Sequence, residues 1–400
     1  MENSLGLYLH IPFCRSKCDY CDFYSLAGQE DRMGDYQQAL LRQIADTAPR
    51  AKKQVVNSVY IGGGTPTWYG EKRLLELIGA VKKRFTLSKD VELTLEANPD
   101  SVDEKMLRRL RRAGVTRLSL GMQSACDGEL AAVHRPHTFR QVEAAVKAAR
   151  AARLRNLNLD LIYGLPSQTE ASWRASVEAA LSLEPEHLSC YGLTVEEGTP
   201  LARRVAEGEA LPDDDEQAQR YLWTVKRLAQ AGFDQYEVSN FSKTGCQSRH
   251  NLKYWMGRPY VGLGAGAHSD FGGCRYSFVR DLEGYIRGVL GDGRLLDEMD
   301  EIPPRERGSE YLMLRLRTIH GIEEWEYRRE YYMNFDPIAA KLSEYEQKGW
   351  AVRSGRRWHF TPEGFLLSNR LIGELMELQE VETLANTLEK IRGGKLPPRE

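Results

Sequence analysis

The chain reads as an α/β protein, a partial β/α barrel followed by a small, mostly helical domain. Three observations predict this. Apolar strand-like runs and amphipathic helices alternate at roughly thirty-residue spacing, as parallel βαβ units require. Cysteines, glycines and polar residues sit repeatedly at the C-terminal ends of the strands, where barrel-type folds build their sites. Beyond Asn240 the alternation breaks, and from Arg294 onward the pattern is mostly helical. The spacing alone leaves an open sheet as an alternative to a barrel.

In order, a strand-like run over 5–13 leads into three cysteines. Helices are then predicted over 33–48, 71–85, 103–113, 139–152, 170–183 and 215–231. Strands are predicted over 55–61, 91–96, 116–120, 157–162, 188–193 and 234–238. The domains expected are a core over 1–240, a connecting segment over 241–293 and a C-terminal helical domain over 294–400. Within the last, 310–317 and 337–348 are amphipathic, and 350–353 with 358–361 form a short hairpin turning at Gly355. Helices plus a small hairpin suggest a winged-helix-like module, a fold that does not by itself license nucleic-acid binding. Residues 393–400 are expected to fray.

A length of 400 residues and a hydrophobic fraction of 42% allow two or three domains with sizeable cores. The net charge of −2 gives no nucleic-acid signal. Seven cysteines, an odd number, and no signal-peptide pattern point to the cytoplasm. No apolar run is long enough for a transmembrane helix, which leaves peripheral membrane contact open.

Cys14, Cys18 and Cys21 form a CxxxCxxC run. Three neighbouring thiols cannot all pair as disulfides, and they suit a soft metal centre. Structural zinc usually takes a second pair of ligands, whereas Cys126, Cys190, Cys246 and Cys274 stand alone. A four-iron cluster fits better, with one iron left open to a small chelating ligand. Downstream, Gly62-Gly63-Gly64 follows a buried strand and permits close approach to the backbone. Glu96 and Asp160 lie near strand ends and can accept from hydroxyls or pair with a cation, while Gln123 and Arg135 can hold a carboxylate or hydroxyl.

The cysteine run, with Tyr20 before its third cysteine, resembles the signature of radical S-adenosylmethionine (SAM) proteins. That resemblance implies an open barrel, a [4Fe–4S] cluster on the three cysteines and SAM on the open iron. An electron from such a cluster splits the sulfonium to a 5′-deoxyadenosyl radical, so an electron donor is implied. In order and spacing, the residues from Tyr8 to about Pro200 resemble the oxygen-independent coproporphyrinogen oxidase group. The resemblance implies SAM contacts from Tyr8, Tyr20, Gly63, Gly64, Thr65, Glu96, Gln123, Arg135 and Asp160. Two departures speak against a coproporphyrinogen dehydrogenase. Phe23 stands where that group has a fourth cysteine, and the group's N-terminal extension has no counterpart before Tyr8.

His250-Asn251-Leu252-Lys253-Tyr254-Trp255 resembles the HNxxYW motif of the related haem chaperones of the HemW type. Imidazole is a suitable axial ligand for haem iron, and Tyr254 and Trp255 can stack on a flat macrocycle. The expectation is a haem-binding chaperone that delivers haem to acceptor proteins, with His250 as ligand. His10, His268, Cys246 and Cys274 compete for that role.

Overall fold

The computed structural model describes residues 4–291 and 293–379. They form two compact units. One comprises Met1–Asp234, Ser239–His250 and Pro259–Asp300, the other Gln235–Val238, Asn251–Arg258 and Glu301–Glu400.

Parallel strands dominate the first unit: β1 (Ser4–Ile11), β2 (Val55–Gly63), β3 (Leu87–Ala97), β4 (Arg117–Gln123), β5 (Asn156–Tyr163), β6 (His187–Gly192) and β7 (Tyr260–Leu263). Their order across the sheet is β7-β1-β2-β3-β4-β5-β6, each pairing parallel to the next. Among the described residues the sheet counts twelve strands, because antiparallel strands extend both ends. Asn240–Ser242 pairs with β6, while His268–Phe271 and Cys274–Phe278 follow β7. Flat, β2 to β6 would spread over about 19 Å. All five strands line a single cavity of about 440 Å³, so the sheet is curled into a partial barrel.

The strict alternation along these strands explains the layering. Leu5, Leu7, Leu9 and Ile11 of β1, Leu118 and Leu120 of β4, and Leu157, Leu159 and Leu161 of β5 are all fully buried in the main hydrophobic core. They face the surrounding helices, chiefly Met33–Thr47, Glu71–Arg84, Glu104–Ala113 and Phe139–Ala151. The intervening residues turn inward and are polar: Ser58, Thr94, Ser119, Asn158 and Ser189. Helix starts follow local capping chemistry. Asp103 accepts from the Met106 N–H, and Thr138 with Gln141 forms a capping box.

The predicted strand over 234–238 is short. Only Asp234–Gln235 is extended, and it lies beside Asn240–Ser242. The chain reverses between them, so the return arm pairs with β6 and runs antiparallel to it. The glycine-rich stretch after Tyr260 supplies β7, which covers the free side of β1.

In the second unit, helices Pro304–Arg315, Glu324–Tyr331, Asp336–Gln347 and Ser368–Glu377 accompany a three-stranded sheet. Its order is Ile322–Glu323, Arg357–Phe360, Ala351–Ser354. The predicted hairpin is present, with Gly355 at φ 62° in its turn. The predicted frayed end, 393–400, lies outside the described residues. Among the described residues no helix is long and apolar enough to cross a membrane.

Candidate functional site

The three cysteines leave β1 on a loop that forms one wall of the cavity, and Cys14, Cys18 and Cys21 all line it. Asp19 anchors this loop. Its carboxylate accepts from Arg204 Nη1 at 2.6 Å and meets His134 Nδ1 at 2.8 Å, while its N–H donates to Val133 O at 3.2 Å. Donors also reach the sulfurs. Thr65 Oγ1 lies 3.5 Å from Cys14 Sγ, and Arg135 Nη1 lies 3.4 Å from Cys18 Sγ. Burial pushes the Cys14 and Cys21 thiols above the ordinary cysteine value, so a cationic metal is what would favour their thiolates here. Among the described residues no three His, Cys, Asp or Glu side chains gather as a single-ion site. A four-iron cluster instead takes each thiolate on a different iron.

Across from the thiols, the strand ends present carboxylates. Tyr60 donates its hydroxyl to Glu96 Oε1 at 2.7 Å, and the Gly63 N–H donates to Glu96 Oε2 at 3.0 Å. Asp160 accepts from Ser119 Oγ at 3.1 Å and from Asn158 Nδ2 at 2.8 Å. Burial raises the Glu96 carboxyl to about 7; the Tyr60 hydroxyl opposes this rise and the Asp160 charge adds to it. Burial also raises Asp160 above its ordinary value.

Polar atoms without partners mark where a ligand would complete the wall. Gln123 Oε1 and Arg135 Nε are buried beside the cavity and unpartnered. Gln123 also holds φ at 64°, a left-handed conformation uncommon for a side-chain-bearing residue. An acceptor and a cationic donor, left open between two carboxylates and three thiols, fit a small zwitterionic ligand beside a cluster.

The comparisons with known proteins agree with this chemistry. Residues 8–180 match the Radical SAM superfamily and residues 302–367 the HemN C-terminal domain. Proteins named Heme chaperone HemW are similar along nearly the whole chain. The one from Bacillus subtilis (strain 168) is 34% identical, covering 92% of this chain and 98% of its own length. That from Escherichia coli (strain K12) is also 34% identical, covering 92% and 97%. The chain belongs to the HemW family. Its fold matches that of the coproporphyrinogen III oxidase HemN from Escherichia coli, with a TM-score of 0.82, 23% identity, and coverage of 94% of this chain and 90% of that one.

Of the residues expected to hold SAM in this HemW-family chain, Tyr20, Gly63, Gly64, Thr65, Glu96, Gln123, Arg135 and Asp160 line the cavity. Tyr8 does not; it is half-buried beside Tyr60, with its hydroxyl 2.9 Å from His10 Nδ1. Nor is His250 brought to the cavity or to any open face. It is 1% exposed, with Nδ1 3.0 Å from Ser58 Oγ and its N–H donating to Glu92 Oε1 at 3.2 Å. Tyr60 and Tyr8 cover its ring, at centroid distances of 5.3 and 6.4 Å. A haem ligand needs an accessible imidazole, and in this arrangement the ring is shut in.

The glycine triplet is also crowded by neighbouring protein atoms. A Cβ on Gly62 would lie 2.8 Å from the Glu96 carboxylate, one on Gly63 2.5 Å from the His10 ring, and one on Gly64 3.0 Å from Cys14 Sγ. The triplet thus leaves room for neighbouring side chains and, at Gly64, for the Phe13 carbonyl oxygen. Sequence reasoning missed Tyr60, Asn98 and Ser119. Asn98 links Arg135 to Thr65, at 3.0 and 3.3 Å. The signal was the strict alternation in Glu92-Leu93-Thr94-Leu95-Glu96 and Arg117-Leu118-Ser119-Leu120, which separates an apolar face from a chemical one.

Proposed function

We propose that the protein is a haem chaperone: it binds haem and delivers it to haem-dependent acceptor proteins, using a [4Fe–4S] cluster and SAM. The observation that carries this reading is family membership over more than nine tenths of the chain. Cys14, Cys18 and Cys21 hold the cluster. SAM occupies the adjoining cavity, where Glu96 and Asp160 accept from hydroxyls or face its positive charge. Gln123 and Arg135 supply the acceptor and the donor that are otherwise unpartnered. Gly63, Gly64 and Thr65 shape the backbone beside the cluster, and Tyr20 closes it off. Bound together, cluster and SAM supply one-electron chemistry at the sulfonium, for which an external electron donor is needed.

His250 is the proposed axial ligand to haem iron, supported by the HNxxYW pattern. Access to it requires the helix Arg249–Trp255 to release Ser58 and Glu92. His268, exposed on the strand His268–Phe271, is the competing imidazole. All seven cysteines are free thiols, which supports a reducing cytoplasmic setting.

The test is to titrate the cluster-loaded protein with haem, follow the Soret band, and then add an apo haem protein. A saturable band that moves to the acceptor is expected. His250→Ala should weaken or shift the band, and His268→Ala should not; the reverse pattern moves the ligand to His268. No haem binding, together with steady decarboxylation of coproporphyrinogen, would overturn the chaperone reading.

A further inference from the structure

Below the carboxylates of the cavity, a guanidinium charge sits inside the barrel with no ion pair to it among the described residues. β4 begins at Arg117, and alternation places Arg117 on the same inner face as Ser119, Gly121 and Gln123. Its register neighbours are Thr94 of β3 and Asn156 of β5. Arg117 is 1% exposed, and Arg117 Nε, Thr94 Oγ1 and Asn156 Oδ1, all in this one row, are buried without partners. The imidazole of His187, in the same part of the interior, is held neutral, since burial and then the Arg117 charge drive it well below its ordinary range. A buried unpaired cation is costly unless an opposite charge lies near.

Two opposite charges lie above it, Glu96 one inward row up and Asp160 two. Glu96 is level with Ser119, and Asp160 is level with Gly121 and bonded to Ser119 and Asn158. Glu96 is faced by Tyr60, Asp160, the Gly63 N–H and Arg117; Asp160 is faced by Asn158, Ser189, Arg117 and Ser119. Arg117 is the cation these two sets share, and it pulls both carboxyls down against burial.

We propose that Arg117 is a positioning residue for SAM, a fixed interior charge that favours the ionised forms of Glu96 and Asp160 beside the cavity. The ionised carboxylates face a ligand that carries two cationic groups, a sulfonium and an ammonium, against one carboxylate. The functional half of this inference rests on the SAM reading above; the charge coupling does not.

The test uses four full-length, cluster-loaded proteins: parent, R117M, the pair E96Q/D160N, and the triple variant. Unfolding midpoints and SAM affinity are measured from pH 6 to 9. R117M should lower the midpoint in the parent background but leave it unchanged or raise it in the E96Q/D160N background, where Arg117 is the uncompensated charge. R117M should also weaken SAM binding roughly tenfold, with the acid-side loss of affinity moved to higher pH. Should R117M fail to fold alone, the triple variant should fold, and R117K should fold and bind SAM. Equal loss of stability in both backgrounds, or a triple variant that stays unfolded, overturns the coupling. If E96Q/D160N rescues R117M yet binds SAM as the parent does, the coupling stands and the SAM role of the carboxylates falls.

Discussion

The two faces of the parallel strands are made by one sequence pattern and do opposite work. On the outer face Leu93, Leu118 and Leu159 are buried against helices and carry no chemistry. On the inner face Glu96, Ser119 and Asp160 are polar, linked to one another or their neighbours, and left with openings beside the cavity. Residues one position apart should therefore respond to substitution in different observables: the outer in stability, the inner in ligand binding.

The largest effect is expected at the cysteine loop. Replacing Cys14, Cys18 and Cys21 together with alanine should remove essentially all of the roughly four irons per chain expected after anaerobic reconstitution. Retention of that iron would place the cluster elsewhere. On the outer face, Leu118→Ala should cost about 2–5 kcal/mol in unfolding free energy and leave SAM affinity within about twofold. A large loss of SAM affinity in folded Leu118→Ala would break the division between the faces. Glu96→Ala should do the converse. SAM affinity should fall roughly ten- to hundredfold, the equivalent of about 1.5–3 kcal/mol for a charge-assisted contact, with iron content unchanged. Calorimetry on the cluster-loaded protein measures this directly.

The smallest effect is a pH dependence with two opposite signs. Burial first, and then the Asp160 charge, raise Glu96 from its ordinary 4.5 to about 7. The unliganded fold thus holds a proton on Glu96 that the unfolded chain has lost. Its contribution to stability is present below about pH 4.5 and declines as pH rises through about 7. SAM, a net cation, favours the ionised form, so affinity should increase over that same rise. Affinity and unliganded stability that rise together in that window would show Glu96 titrating outside it.

How much of this was legible in sequence depends on where each residue stands along its element. Cys14, Gly64, Glu96, Gln123 and Asp160 stand at or near strand ends, where a break in the apolar pattern is visible, and all of them reach the cavity. Tyr8 and His250 instead pack against each other and Tyr60, outside the cavity lining. No linear pattern records which inward side chains reach the cavity, so their placement was not readable. Strand β7 was hidden for another reason. Tyr260–Leu263 is four residues long within a glycine-rich stretch, and only its pairing with β1 makes it a strand. Arg117 was overlooked because one charged residue at a strand start looks like a solvated end, whereas the curl of the sheet encloses it.

The placement of β1 also governs the order of events during synthesis. This first strand lies between β2 and β7, so one of its edges is matched early and the other only when residue 263 exists. At roughly 5–20 residues per second, translation from the end of β1 to that point takes on the order of ten to fifty seconds. Throughout that interval the cysteine loop hangs from a strand with one bare edge, and the closing contact has a sequence separation that slows its formation further. The nascent chain thus carries its cysteine loop on a half-paired strand until the sheet around that loop can be completed.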